Sequence, residues 1–135
     1  MNRTKSREII VTILYQSYIF ENKSVSYDIS DLIKENLDQE NEYIQNAVIY
    51  IKNNQNSIND LANKYMTDWN IDRLSKVDKA IISLAIYELT NSDTPNVVAI
   101  NEAIELSKKY SDEKVTKLIN GVLDKILHNE AKNEW

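Results

Sequence analysis

The sequence predicts an all-α protein of about seven helices, on three observations. One glycine and one proline in 135 residues leave little turn chemistry for β-hairpins. Apolar residues recur at spacings of three and four along most of the chain, the signature of helices with one apolar face. Ala, Leu, Ile, Glu, Lys and Asn dominate, and the length suits one domain with a substantial core.

The first helix is predicted from about Arg3 to Phe20, with Ile10, Leu14 and Tyr18 on one line. A short second helix covers about Ser30 to Leu37, and a third Glu40 to Asn53. Residues 28–42 carry six acids and one lysine, which reads as a solvated face. The cluster NNQNS at 53–57 breaks the pattern, and a fourth helix follows to about Met66. TDWNIDR is a connection. Ser75 starts the fifth helix with Asp78 three residues on, an approximate capping box, and the helix ends near Thr90. Val77, Ile81, Leu84 and Ala85 cover one side of it and Ile82, Ile86 and Leu89 the other, so this helix should lie inside the bundle. NSDTPN is a loop, and a sixth helix spans about Ile100 to Tyr110. Ser111 and Asp112 offer an N-cap to a seventh, ending near Leu127, and the polar tail should fray.

Composition narrows the function. With no cysteine, disulfides and thiolate metal sites are excluded, and a reducing compartment fits. The longest apolar run, AIISLAIYEL, is far short of the ~20 residues of a membrane span. The charged, then apolar, N-terminus lacks a small-residue cleavage site, so a cytoplasmic protein without membrane contact is expected. The net charge of −5 rules out nucleic-acid binding through bulk field, leaving local basic clusters or a basic partner. The only histidine, His128, sits in polar sequence, and one glycine cannot build a phosphate loop. No catalytic residue, metal site or cofactor is expected.

A few residues stand apart. Arg3 and Arg7 are one turn apart on the line that continues as Ile10 and Leu14, and should project past the end of the core, with Lys5 on another side. They suit phosphate or the acids of a neighbouring helix equally. Glu88 shares the buried line of Val77, Ile81 and Leu84. It is read as structural, with the free N–H groups at the start of the sixth helix as its donors. Lys114, Lys117 and Lys125 share a flank of the seventh helix. Gly121, the only glycine, sits among them beside Leu118, where a missing side chain admits another backbone: a neighbouring helix, the favoured reading, or a nucleic-acid strand.

The stretches LSKVDKAIISLAIYEL and TPNVVAINEAIELSKKYSDEKVTKLINGVLDKIL resemble the C-terminal half of NusB transcription antitermination factors, and ILY at 13–15 after spaced basic residues resembles their first helix. The resemblance covers about residues 3–127. It implies two small packed helical subdomains, about 1–66 and 67–127, before a polar tail at 128–135. It implies binding to boxA-type RNA of ribosomal RNA leader transcripts together with the small-subunit ribosomal protein NusE. Other antitermination factors and RNA polymerase would complete the complex, without catalysis. The implied RNA-binding residues are Arg3, Lys5 and Arg7, then Ser111, Lys114, Lys117 and Leu118. The implied partner-facing residues are Tyr15 and Asp78. A monomer and a homodimer both stay open, as does a helical adaptor that uses its acidic faces without touching RNA. The NusB-like domain of RNA methyltransferases is a further relative, but its catalytic continuation is not part of this sequence.

Overall fold

The structure, a computed structural model, describes residues 1–132. Seven α-helices follow one another among these residues: α1 (Arg3–Asn22), α2 (Ile29–Glu35), α3 (Glu42–Asn53), α4 (Gln55–Lys64), α5 (Lys76–Asn91), α6 (Asn96–Tyr110) and α7 (Glu113–Asn129). One turn of 3-10 helix, Ile71–Arg73, lies in the connection before α5. None of the helices is long and apolar enough to cross a membrane.

Local chemistry sets many of the helix starts. Asn2, Asp28, Asn41 and Asp112 each accept a hydrogen bond from a backbone N–H of the first turn of α1, α2, α3 and α7. At α5 the Ser75 hydroxyl accepts from the Asp78 N–H at 3.1 Å and donates to the Asp78 carboxylate at 2.8 Å. This is a variant of the capping box in which the acid binds the hydroxyl rather than the backbone. The break expected at 53–57 shrinks to the single residue Asn54 between α3 and α4. Helix α6 starts at Asn96, four residues before the expected Ile100. Pro95 is the reason: its fixed φ, here −56°, leads directly into a helix.

Helix α5 is the centre of the bundle. Every residue from Ala80 to Leu89 is buried, and α1, α3, α4, α6 and α7 all pack on it. One continuous core joins Ile10, Ile13 and Leu14 of α1, Ile44 and Ile51 of α3, the α5 residues, and Ile119, Leu123 and Ile126 of α7. Truncating any of these fully buried chains to alanine costs about 2–5 kcal/mol. Polar groups inside are satisfied: among the described residues no buried side-chain nitrogen or oxygen lacks a partner. The expected polar tail begins later than 128, because His128 and Asn129 complete α7. Lys132 then docks on the end of α5, its N–H donating to the Leu89 carbonyl at 3.1 Å, so the chain does not fray there. Residues 133–135 of the expected tail lie outside the described residues.

Candidate nucleic-acid and partner interface

The start of α1 carries three basic side chains with three different surroundings. Arg3 is exposed, with its guanidinium 3.7 Å from the centroid of the Tyr43 ring. The Lys5 side chain is 63% exposed and stands 3.8 Å from Glu8. Arg7 contradicts the expectation that it projects past the core, because it is buried. Its Nε donates to Glu88 Oε1 at 2.8 Å and its terminal nitrogens reach Glu88 Oε2 at 2.9 Å and Glu102 at 3.3 Å. The line through Ile10 and Leu14 does not run out of core at Arg7; it meets the side-chain carboxylates of Glu88 on α5 and Glu102 on α6. Burial would lower the arginine pKa, but the hydrogen bond and charge of Glu88, with Tyr43 and Glu102, hold it above its usual value. A guanidinium so engaged is not open to phosphate.

Glu88 is buried, and its donors differ from those expected. Besides Arg7, the hydroxyls of Tyr43 at 2.6 Å and Thr94 at 2.7 Å donate to it, rather than backbone N–H groups of α6. The network ties α1, α3, α5, the α5–α6 connection and α6 at one point. Tyr43, Thr94 and Glu102 are the members that sequence reasoning missed. The available signal was that Arg7 and Glu88, opposite in charge, both lie on buried stripes.

The second basic segment follows α6. Lys114 and Lys117 are exposed on the first turns of α7; Lys114 Nζ lies 5.8 Å from the centroid of the Trp69 ring, and Lys117 is 3.5 Å from Glu113. Leu118 is half-buried against the core. Ser111 donates its hydroxyl to Asp78. Asp78 is 5% exposed, so it is no partner-facing residue: the Ser75 and Ser111 hydroxyls occupy its carboxylate and join the α5 cap to the α6–α7 connection. Tyr15, by contrast, is 39% exposed on α1. Gly121 is also exposed, and a Cβ built there would meet nothing within 4 Å. No helix approaches it, so the packing reading of this glycine is withdrawn.

One ion pair relates the two basic segments. Lys109 Nζ, near the end of α6, lies 3.1 Å from Glu8 on α1. Lys5 approaches the same Glu8 from the other side, and Ser111 follows Lys109 by two residues. The start of α1 and the start of α7 therefore flank a single bridge. Among the described residues no cluster of three or more His, Cys, Asp or Glu could hold a metal ion.

Comparisons with known proteins place the family and the fold. The NusB family model matches residues 4–128. The transcription antitermination protein NusB of Clostridium perfringens (strain SM101 / Type A) is 38% identical over 135 residues, covering 96% of this chain and 98% of that protein. The structure of T. maritima NusB superposes with a TM-score of 0.84 at 33% identity, covering 98% of this chain and 94% of the other. The NusB of a crystal structure of antitermination factors NusB and NusE in complex with double-stranded RNA superposes with a TM-score of 0.77 at 26% identity, over 93% and 96% of the two chains. With its seven helices in the same arrangement from α1 to α7, this chain belongs to the NusB family.

Proposed function

We propose that the protein is a cytoplasmic transcription antitermination factor that binds boxA-type leader RNA together with the ribosomal protein NusE, and acts by binding without catalysis. The observation that carries this reading is the Glu8–Lys109 bridge with basic segments on both sides. Arg3, Lys5, Lys114 and Lys117 supply phosphate contacts from the two flanks. Ser111 shapes the connection between them, Leu118 supports the first turns of α7, and Gly121 lets an RNA strand come close to the helix. Arg7 and Glu88 hold the start of α1 in place. Tyr15 faces NusE, since an exposed aromatic favours an interface. Support comes from family membership and from the solved NusB–NusE–RNA complex of a relative.

The net charge of −5 gives the partner a role. The isolated protein binds RNA weakly, and a basic ribosomal protein docked on its acidic surface adds the missing field. The test is a gel-shift titration with a boxA RNA over a range of salt, with and without NusE. Binding should tighten with NusE. Lys114→Ala with Lys117→Ala should weaken it and lower the salt slope by about one per lysine. Unchanged affinity and slope in the double variant would remove RNA contact from α7 and favour an adaptor that uses acidic faces alone.

A further inference from the structure

The start of α1, the first turns of α3 and the end of α5 enclose an open cleft of about 450 Å³ that the phosphate-contact reading touches only at Arg3. Arg3, Glu42, Tyr43, Asn46, Tyr87 and Asp93 line it. Within it the Arg3 guanidinium lies over the Tyr43 ring, 3.7 Å from its centroid. The tip of the ring is anchored because its hydroxyl donates to Glu88, which Arg7 holds by two hydrogen bonds. Around the rim, Glu42, Asn46 and Asp93 make no side-chain hydrogen bond or salt bridge among the described residues, so their polar atoms are available to a ligand. The cleft sets two carboxylates, Glu42 and Asp93, beside the one cation of Arg3, and so offers acceptors to N–H donors.

We propose that this cleft binds one unstacked guanine base of the RNA. The inference rests on the RNA-binding reading above and names a base subsite beside its phosphate contacts. Proteins read splayed-out bases by stacking them on aromatic rings or arginine planes and by hydrogen bonding to their edges. The outer face of Arg3 supplies the plane. Guanine presents adjacent ring N–H and amino donors, which the carboxylates of Glu42 and Asp93 accept, and Asn46 serves the remaining edge. Adenine and cytosine bring only an amino donor and uracil only a ring N–H, so each meets the two rim carboxylates with fewer donors. Arg3 thus acts here by shape as well as charge, a distinction lysine cannot reproduce.

The test uses the full chain with NusE and a boxA RNA, compared with the same RNA carrying inosine, which lacks the amino group, in place of each guanosine in turn. Wild-type protein should bind one inosine RNA several-fold more weakly. Glu42→Gln with Asp93→Asn should bind the guanosine and inosine RNAs equally, since the pair no longer adds to the loss. Arg3→Lys, which keeps the charge, should weaken the guanosine RNA by about tenfold, as Arg3→Ala does. Circular dichroism should be unchanged, because these side chains lie on the surface. Arg3→Lys binding at wild-type strength, or inosine RNAs all binding as tightly as guanosine RNA, overturns the proposal while RNA binding itself stands. If the two acid variants weaken NusE association but leave the base preference intact, the cleft receives a basic side chain of the protein partner and the proposal is overturned. No RNA binding by wild type under any condition defeats the underlying reading instead.

Discussion

The guanidinium of Arg7 and the carboxylate of Glu88 meet edge to edge inside the protein, at 2.8 and 2.9 Å, across 81 residues of sequence. Two parallel hydrogen bonds fix α1 on α5 in both distance and orientation. Arg7→Ala leaves Glu88 buried with only the Tyr43 and Thr94 hydroxyls, and should destabilise the fold by about 3–5 kcal/mol. Arg7→Lys restores charge but not the fork and should recover only part of that loss. Urea melts of the two variants give the comparison; a lysine variant as stable as wild type would show that the fork geometry contributes nothing.

Asp78 makes a contrasting prediction. Its carboxylate joins two hydroxyls from separate connections in a buried position, so Asp78→Ala should cost about 1–3 kcal/mol. Asp78→Lys would bury an unpaired ammonium and should cost about 4 kcal/mol or more. Loss of NusE association in the lysine variant should then follow loss of helical circular dichroism. A fully folded Asp78→Lys protein that fails to bind NusE would return this residue to the partner surface.

Gly121→Ala should stabilise the protein. The added methyl meets open space, so only helix propensity changes, by about 1 kcal/mol in favour of alanine. The melting midpoint should rise by about 3 °C. A lowered midpoint would mean that something approaches α7 at this position. Gly121→Leu should remain folded and weaken RNA binding, if RNA uses the space.

Alkaline pH should destabilise the fold through its tyrosines. Burial, with the hydrogen bond and charge of Glu21, pushes Tyr27 up to about 12. Burial raises Tyr18, and burial with the Glu88 charge raises Tyr43, both above the usual phenol range. The unfolded chain releases these protons near pH 10 while the folded one keeps them. Above that pH the native state binds more protons, so stability falls as pH rises. Below about pH 10 the contribution is complete; it declines until the native groups titrate, beginning with Tyr27. Phenolate absorbance followed together with circular dichroism checks this: the three groups should ionise late or upon unfolding, and early ionisation with the fold intact would refute the assignment.

Much of the architecture was legible in the sequence because it is written locally. Ser75, Asp112 and the spacing of Ile119, Leu123 and Ile126 act within one or two helical turns, and periodicity finds them. Pro95 misled by one turn, since a proline both closes a loop and opens a helix. The site was legible only in part. Lys5, Lys114 and Lys117 are exposed, as charged residues usually are, and that same tendency makes Arg7 look like a surface residue. What buries Arg7 is a carboxylate four helices further on, and what leaves Gly121 open is the absence of a neighbour. Both are facts of tertiary arrangement that a stripe of residues does not encode. Asp78 was correctly placed at a helix start, yet its second partner, Ser111, arrives from a connection 33 residues later.

Helix α5 is covered by α1, α3 and α4 from upstream and by α6 and α7 from downstream. During synthesis the chain leaves the ribosome from its N-terminus, so α1, α3 and α4 emerge before the helix they share. Until Asn91 has cleared the exit tunnel, α1 and α3 can cover only each other, the faces that α5 fills stay open, and such surfaces invite aggregation. Ribosome-stalled chains halted before that point should be cut rapidly by protease, and chains halted after α7 has emerged should resist. Placing the central helix late in the sequence makes assembly nearly post-translational, with translation speed and chaperone supply governing the yield of finished protein.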